Sequence, residues 1–117
     1  MLLEAGSCAE AEPLLRESLA IREKQSPDSW STFANQSMLG GALLGRKEYA
    51  EAEPLLLAGY EGLRRVEAKI PESSRARLTD AIERLVRLHA ETDRPDEAAK
   101  WRLVLAEQEK AGRSAAR

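Results

Sequence analysis

The string Ala9-Glu10-Ala11-Glu12-Pro13-Leu14-Leu15 returns unchanged as Ala50-Glu51-Ala52-Glu53-Pro54-Leu55-Leu56, at an offset of 51 − 10 = 41 residues. Chance does not supply an identical seven-residue string in 117 residues, even with abundant Ala, Glu and Leu. A period between 20 and 50 residues marks an array in which each unit buries its apolar face only against its neighbours. The repeat therefore constrains the architecture before any single residue is interpreted.

The apolar residues say what the unit is made of. Ala11, Leu14, Leu15, Ser18 and Leu19 recur at i, i+3, i+4, i+7 and i+8, the spacing of one buried helix face. This second segment opens at Ser7 or Cys8 and runs to about Gln25; residues before it form the end of a helix stopped by Gly6. Pro13, and Pro54 in the same register, read as a tolerated bend near a helix start. Ser26-Pro27-Asp28 is a turn, and Asp28 or Ser29 caps a helix carrying Trp30, Phe33, Met38, Leu39, Leu43 and Leu44 that closes at Gly45. Gly40-Gly41 inside that helix costs about 1 kcal/mol per residue against Ala, which marks close approach by a neighbouring backbone.

A fourth segment, about 47–68, repeats the second with Ala52, Leu55, Leu56, Gly59, Leu63 and Val66 on its apolar stripe. Pro71 breaks the chain, and Glu72-Ser73-Ser74 offers caps for a helix ending near Thr92, with Leu78, Ile82, Leu85, Val86 and His89 inward. Asp80 with Arg84 and Glu83 with Arg87 have the acid-before-base i,i+4 spacing of helix ion pairs. The last helix follows Asp93-Arg94-Pro95-Asp96, holds Ala98, Trp101, Leu103, Val104 and Leu105, and frays by Ala111-Gly112. A third, weaker copy aligns Glu97-Ala98 with Glu51-Ala52 at 97 − 51 = 46, its extra residues falling in the loop around 68–74. No segment alternates with period two, so strands are not expected. The expectation is an all-α chain: a short α-solenoid of antiparallel helix pairs with about five main helices. Residues 1–111 form a single array and 112–117 a disordered basic tail with Arg113 and Arg117.

Composition limits the function. With 43% hydrophobic and 32% charged residues the chain can fold in water, and with only Trp30, Phe33, Tyr49, Tyr60 and Trp101 as aromatics its core must be built mainly from Ala and Leu. The net charge of −2, from 18 basic and 20 acidic residues, lacks the basic surplus of a general nucleic-acid binder. No apolar run is long enough for a membrane span. Cys8 is alone, which excludes an intrachain disulfide and points to a reducing compartment. Met1-Leu2-Leu3 meets Glu4 at once, leaving no apolar core for a signal peptide, so a cytoplasmic location is expected.

No catalytic constellation can be assembled. His89 is the single histidine, with no second ligand or nucleophile at useful spacing, and reads as a helix-packing residue. Cys8 reads as a small buried hydrophobe. Gly40, Gly41 and Gly45 lack the context of a phosphate loop. Trp30 is expected in the core, while Trp101 can face the core or a partner. An enzyme, a metal site and a cofactor are not expected.

Leu39-Gly40, Tyr49, Ala52 and Leu56 stand at the offsets of the tetratricopeptide pattern, with Leu43 where that family prefers Tyr, so the chain resembles a tetratricopeptide repeat. The long period and the Ala-Glu-Pro-Leu-Leu string look like the kinesin-light-chain subtype. Leu39–Gly45 is similar to the C-terminal repeat tails of bacterial serine/threonine protein kinases, although no kinase motif is present. The resemblance implies a first repeat truncated at its N-terminus and a degenerate third repeat, with Pro95 and Arg102 at family apolar places. It also implies a bacterial protein–protein interaction scaffold whose concave face is lined by the first helix of each pair. Carried across, those positions are Ala34, Ser37, Met38 and Gly41 on the central copy and Asp80, Glu83, Arg84 and Arg87 on the last. The Lys and Asn residues with which the family's chaperone-tail clamps hold a terminal dicarboxylate are absent. So are the Asn residues of kinesin-type grooves, which Ser37 and Met38 replace. Two kinds of partner follow: a protein or peptide in the groove, or a second copy of the chain against an N-terminal helix face left uncovered, giving a homo-oligomer.

Overall fold

The computed structural model describes residues 5–115, with side chains over 8–112. Five α-helices follow one another: α1 Ala5–Gln25, α2 Trp30–Gly45, α3 Tyr49–Arg65, α4 Ala76–Glu91 and α5 Pro95–Ala115. Two short 3-10 turns, Glu67–Lys69 and Glu72–Ser74, lie between α3 and α4. No strand occurs among the described residues. Each helix packs on the next, and α2 also meets α4, so α2 and α4 lie side by side. This is an all-α chain, a short array of helices each packed on its neighbour, as a 41-residue repeat leads one to expect.

Local chemistry places the boundaries. Ser29, in extended backbone (φ −77°, ψ 144°), accepts a hydrogen bond from the Ser31 N–H and caps α2. The turns after α2 and α4 share one construction, offset by 46 residues. Lys47 (φ 63°) and Asp93 (φ 57°) adopt the left-handed conformation. The next N–H then reaches back five residues: Glu48 to the Leu43 carbonyl and Arg94 to the His89 carbonyl, both at 2.9 Å. This closure satisfies helix-end carbonyls that would otherwise lack a donor. The extra length of the third repeat sits in the two 3-10 turns, and Ile70 between them is buried.

Several boundaries differ from expectation. α1 passes through Gly6 without a break, because one glycine costs too little to stop a helix that packing sustains; residues 1–4 lie outside the described residues. Pro13 consequently stands in the interior of α1, whereas Pro54 is in the second turn of α3. Neither Glu72, Ser73 nor Ser74 caps α4; they form the 3-10 turn before it, and Arg75 at the cap position supplies no side-chain bond. α5 continues through Ala111 and Gly112 to Ala115 instead of fraying there. Residues 116–117 and the Arg113 side chain are outside the described set.

The core is the Ala/Leu packing that composition demands. One cluster joins Leu19, Leu39, Leu43, Leu44, Ala52, Leu56, Leu85 and Leu88 across α1–α4. A second joins Phe33, Ala34, Leu63, Leu78, Ala81 and Ile82 with Ile70. Tyr60 and Trp101 touch both clusters and meet edge to face, ring centroids 4.9 Å apart. Trp101 thus faces inward, half-buried, and Trp30 packs at the edge of the second cluster. Cys8 is buried, and His89 is 4% exposed with Nδ1 2.8 Å from the Leu85 carbonyl, both as packing residues. Two expected core positions lie outside it: Leu14 is 69% and Leu103 70% exposed, because no described helix covers those faces.

Candidate interaction surface

Of the eight expected groove residues, the α2–α4 seam brings Ser37, Gly41 and Arg84 together, and three of the eight are closed. Ala34, Ser37 and Gly41 are buried under α4, Ser37 to 1% exposure, while Met38 is half-buried. The side chain that reaches Ser37 and Gly41 is Arg84. Its Nη1 donates to Ser37 Oγ at 3.0 Å. Its Nε lies 2.8 Å from where a β-carbon on Gly41 would stand, so a side chain at position 41 would displace it. The Gly40–Gly41 pair therefore has two uses. Gly40 admits Leu56 of α3, backbone included, and Gly41 admits a guanidinium rather than a backbone.

This arrangement replaces the helix ion pairs expected on α4. Arg84 turns across to Ser37 instead of along the helix to Asp80, and Arg87 pairs with Glu91 instead of Glu83. Burial pushes the Arg84 guanidinium below its ordinary range, partly offset by the field of Asp80. Among the described residues it makes no ion pair; Ser37 takes one of its five N–H donors. Asp80 is half-buried and Glu83 and Arg87 are exposed along the same wall.

Elsewhere, charges fasten helices to one another. Glu12 accepts from Arg16 at 2.9 Å and from Arg46, and Arg16 also reaches Glu51 at 2.6 Å, so α1 is tied to the α2–α3 turn. Its repeat mate Glu53 accepts two bonds from Arg94, at 2.9 and 3.2 Å, tying α3 to the α4–α5 turn. Arg16 and then Arg46 hold the Glu12 carboxyl below the usual carboxylate range, and Arg94 does the same for Glu53. Tyr49 donates to Glu91 at 3.0 Å, and its phenol is raised by desolvation and by that carboxylate. The duplicated Glu12 and Glu53 are thus repeat-to-repeat clamps, a role that sequence spacing alone did not reveal, since their Arg partners lie 34 and 41 residues away.

Among the described residues no three His, Cys, Asp or Glu side chains gather as a metal site, and no helix is long and apolar enough to cross a membrane. The fold defines a class, a short array of antiparallel helix pairs. A family model described as the tetratricopeptide repeat matches residues 1–24, which contain the first copy of the duplicated string. No curated protein and no solved structure matches the chain. Repeats of this family generally mediate protein–protein interaction.

Proposed function

We propose that the chain is a non-catalytic scaffolding module that binds a peptide or protein partner on the concave face formed by α2 and α4. The observation that carries this reading is Arg84: a desolvated guanidinium on the seam, in the field of Asp80, with one hydroxyl partner and no ion pair among the described residues. Such a group gains from an incoming acidic side chain or chain terminus, since charge-assisted bonds are about twice as strong as neutral ones. Met38, half-buried and next to Ser37 on α2, offers apolar contact, and Asp80, Glu83 and Arg87 give the wall mixed charge. The ligand is an extended or helical peptide bearing a carboxylate. The chain acts without cofactor or metal, away from nucleic acid and membrane, in the cytoplasm of a bacterium. Its repeats are of the kinesin-light-chain-like subtype, and Leu39–Gly45 supports a regulatory tail of a protein kinase as its context; an open reading frame running upstream of Met1 into a kinase would bear that out.

Peptides selected from a displayed random library against the whole chain test the groove. Acidic peptides are expected, with binding by fluorescence anisotropy weakened about tenfold in Arg84→Met and unchanged in Arg102→Met on α5. Selected peptides that lack carboxylates, or that bind Arg84→Met as well as the parent, overturn the reading.

A second reading, self-association, is favoured by a different observation. α1 leaves Leu14 69% and Ile21 49% exposed on one face.

A further inference from the structure

The internal repeat shows what the open face of α1 is and what it is not. Adding 41 maps Leu14, Ser18 and Ile21 onto Leu55, Gly59 and Gly62 of α3, and Gln25 onto Val66 at its C-terminal end. In α3 that face is occupied: a β-carbon on Gly59 would meet the Phe33 carbonyl at 2.9 Å and the Ser37 N at 2.8 Å, and one on Gly62 would strike the Phe33 ring. Two glycines let α2 lie directly on the α3 backbone. α1 carries Ser18 and Ile21 at those places, so a helix shaped like α2 cannot approach as closely; Ser18 stands at the α2 edge of the face, its Oγ accepting from Asn35 Nδ2 at 2.8 Å, and Leu14 and Ile21 are its exposed part. The α1 face instead suits a partner whose side chains interdigitate with its own. A cleft of about 450 Å³ runs along it, lined by Leu14, Glu17, Ser18, Ile21, Arg22 and Gln25.

Those six residues have the spacing of a two-helix seam. Leu14 and Ile21 are seven apart, Ser18 and Gln25 are seven apart, and the two series alternate by four and three, the d and a positions of a heptad. Glu17 and Arg22 then flank the seam at g and e. Among the described residues neither makes an ion pair; Arg22 donates only to Ser18 Oγ (3.4 Å) and Ser31 Oγ (3.2 Å). In a parallel pair, g of one helix meets the e position five residues on in the other. That sets Glu17 against Arg22 of the second copy, and symmetry repeats the contact. An antiparallel pair sets like flank against like flank, Glu17 beside Glu17 and Arg22 beside Arg22, and gains nothing from either charge.

We propose that α1 pairs in parallel with α1 of a second copy, about a twofold axis along the helix, through Leu14, Ser18, Ile21 and Gln25 with two Glu17–Arg22 contacts across the seam. The proposal rests on the self-association reading and adds its orientation and register. With only Leu14 and Ile21 as large apolar residues, the dimer is weak and reversible.

Light scattering on the whole chain tests self-association: the mass rises from one chain toward two with concentration. Glu17→Arg weakens the dimer about tenfold by replacing attraction with repulsion on both flanks, and Glu17→Arg/Arg22→Glu restores it. Single cysteines at the two d positions test orientation in a Cys8→Ala background, whose fold is checked by circular dichroism. Parallel pairing brings Leu14→Cys against its own mate and Ile21→Cys against its own, so both variants form disulfide-linked dimers under mild oxidation; an antiparallel pair permits one at most. A monomer at every concentration overturns both the self-association reading and this proposal. A dimer that closes only one disulfide or neither, or that ignores the charge reversal, leaves self-association standing and overturns the parallel register.

Discussion

At Gly62 the absence of a side chain is what sets the distance between helices. The Phe33 ring occupies the space a β-carbon would need, and the Arg65 guanidinium lies over the ring, 5.3 Å from its centroid. Gly62→Ala must push Phe33 out of its rotamer or α2 away from α3, and overpacking of this kind costs about 1–3 kcal/mol. Chemical denaturation measures it. Because the strain is specific to one pair, Gly62→Ala/Phe33→Leu should lose less than the sum of the two single losses, the non-additivity of residues in contact. Additive losses would mean that the ring is not what Gly62 accommodates. Sequence reasoning placed Gly59 on the apolar stripe and passed over Gly62. A glycine's purpose depends on which neighbour reaches it, and that neighbour lies 62 − 33 = 29 residues away.

At the level of the element, the helices were readable because periodicity is local, and the details that failed depend on distant partners. The cap at Ser29, the end at Gly45, the break at Pro71 and the buried set Leu78, Ile82, Leu85 and His89 are found where the pattern put them. The Asp80–Arg84 and Glu83–Arg87 pairs satisfied the spacing rule, yet Arg84 is drawn across to Ser37 by space that Gly41 leaves on another helix. The expected groove residues were chosen by register on each helix, which could not show that Arg84 reaches across to Ser37 and fills the space at Gly41. The turns were recognised while their geometry was not, since neither Lys47 nor Asp93 is the glycine that usually marks a left-handed helix end. That geometry is testable. A non-glycine residue in this conformation loses about 1–2 kcal/mol, and glycine relieves it while giving back about 0.4–1 kcal/mol through its freer unfolded chain. Lys47→Gly and Asp93→Gly should each stabilise by about 0.5–1 kcal/mol, and Lys47→Val should destabilise. Thermal melts of the three variants decide it; a loss on Lys47→Gly would show that the left-handed turn is not formed.

Across the whole molecule, the duplicated string acquires a physical role. Its second alanine and second leucine, Ala52 and Leu56 in α3, are buried, and its second glutamate ties one layer to the turn of the next. Glu12 binds Arg16 and Arg46, and Glu53 binds Arg94, so the same residue of each copy is a stitch between successive repeats. Both carboxyls are held below the ordinary value, and a group whose folded-state pKa is depressed binds its proton more readily when the chain unfolds. The stitches therefore contribute fully above the unfolded carboxylate pKa of about 4.3, and their contribution is lost as pH falls through the lower folded values. Both are near the surface, so the effect is modest and weakened by salt. Denaturation midpoints should be flat from neutral pH down to about 5 and then fall. Glu12→Gln/Glu53→Gln should start lower at neutral pH and show a shallower acid slope, because it has no depressed carboxyls left at these sites to titrate. If the variant keeps the full acid slope of the parent, other carboxylates carry the dependence and the array is held together by its Ala/Leu core alone. That core spans α1 to α4 in one cluster and joins the second through Tyr60 and Trp101, so unfolding should remain a single transition whether or not the stitches are made.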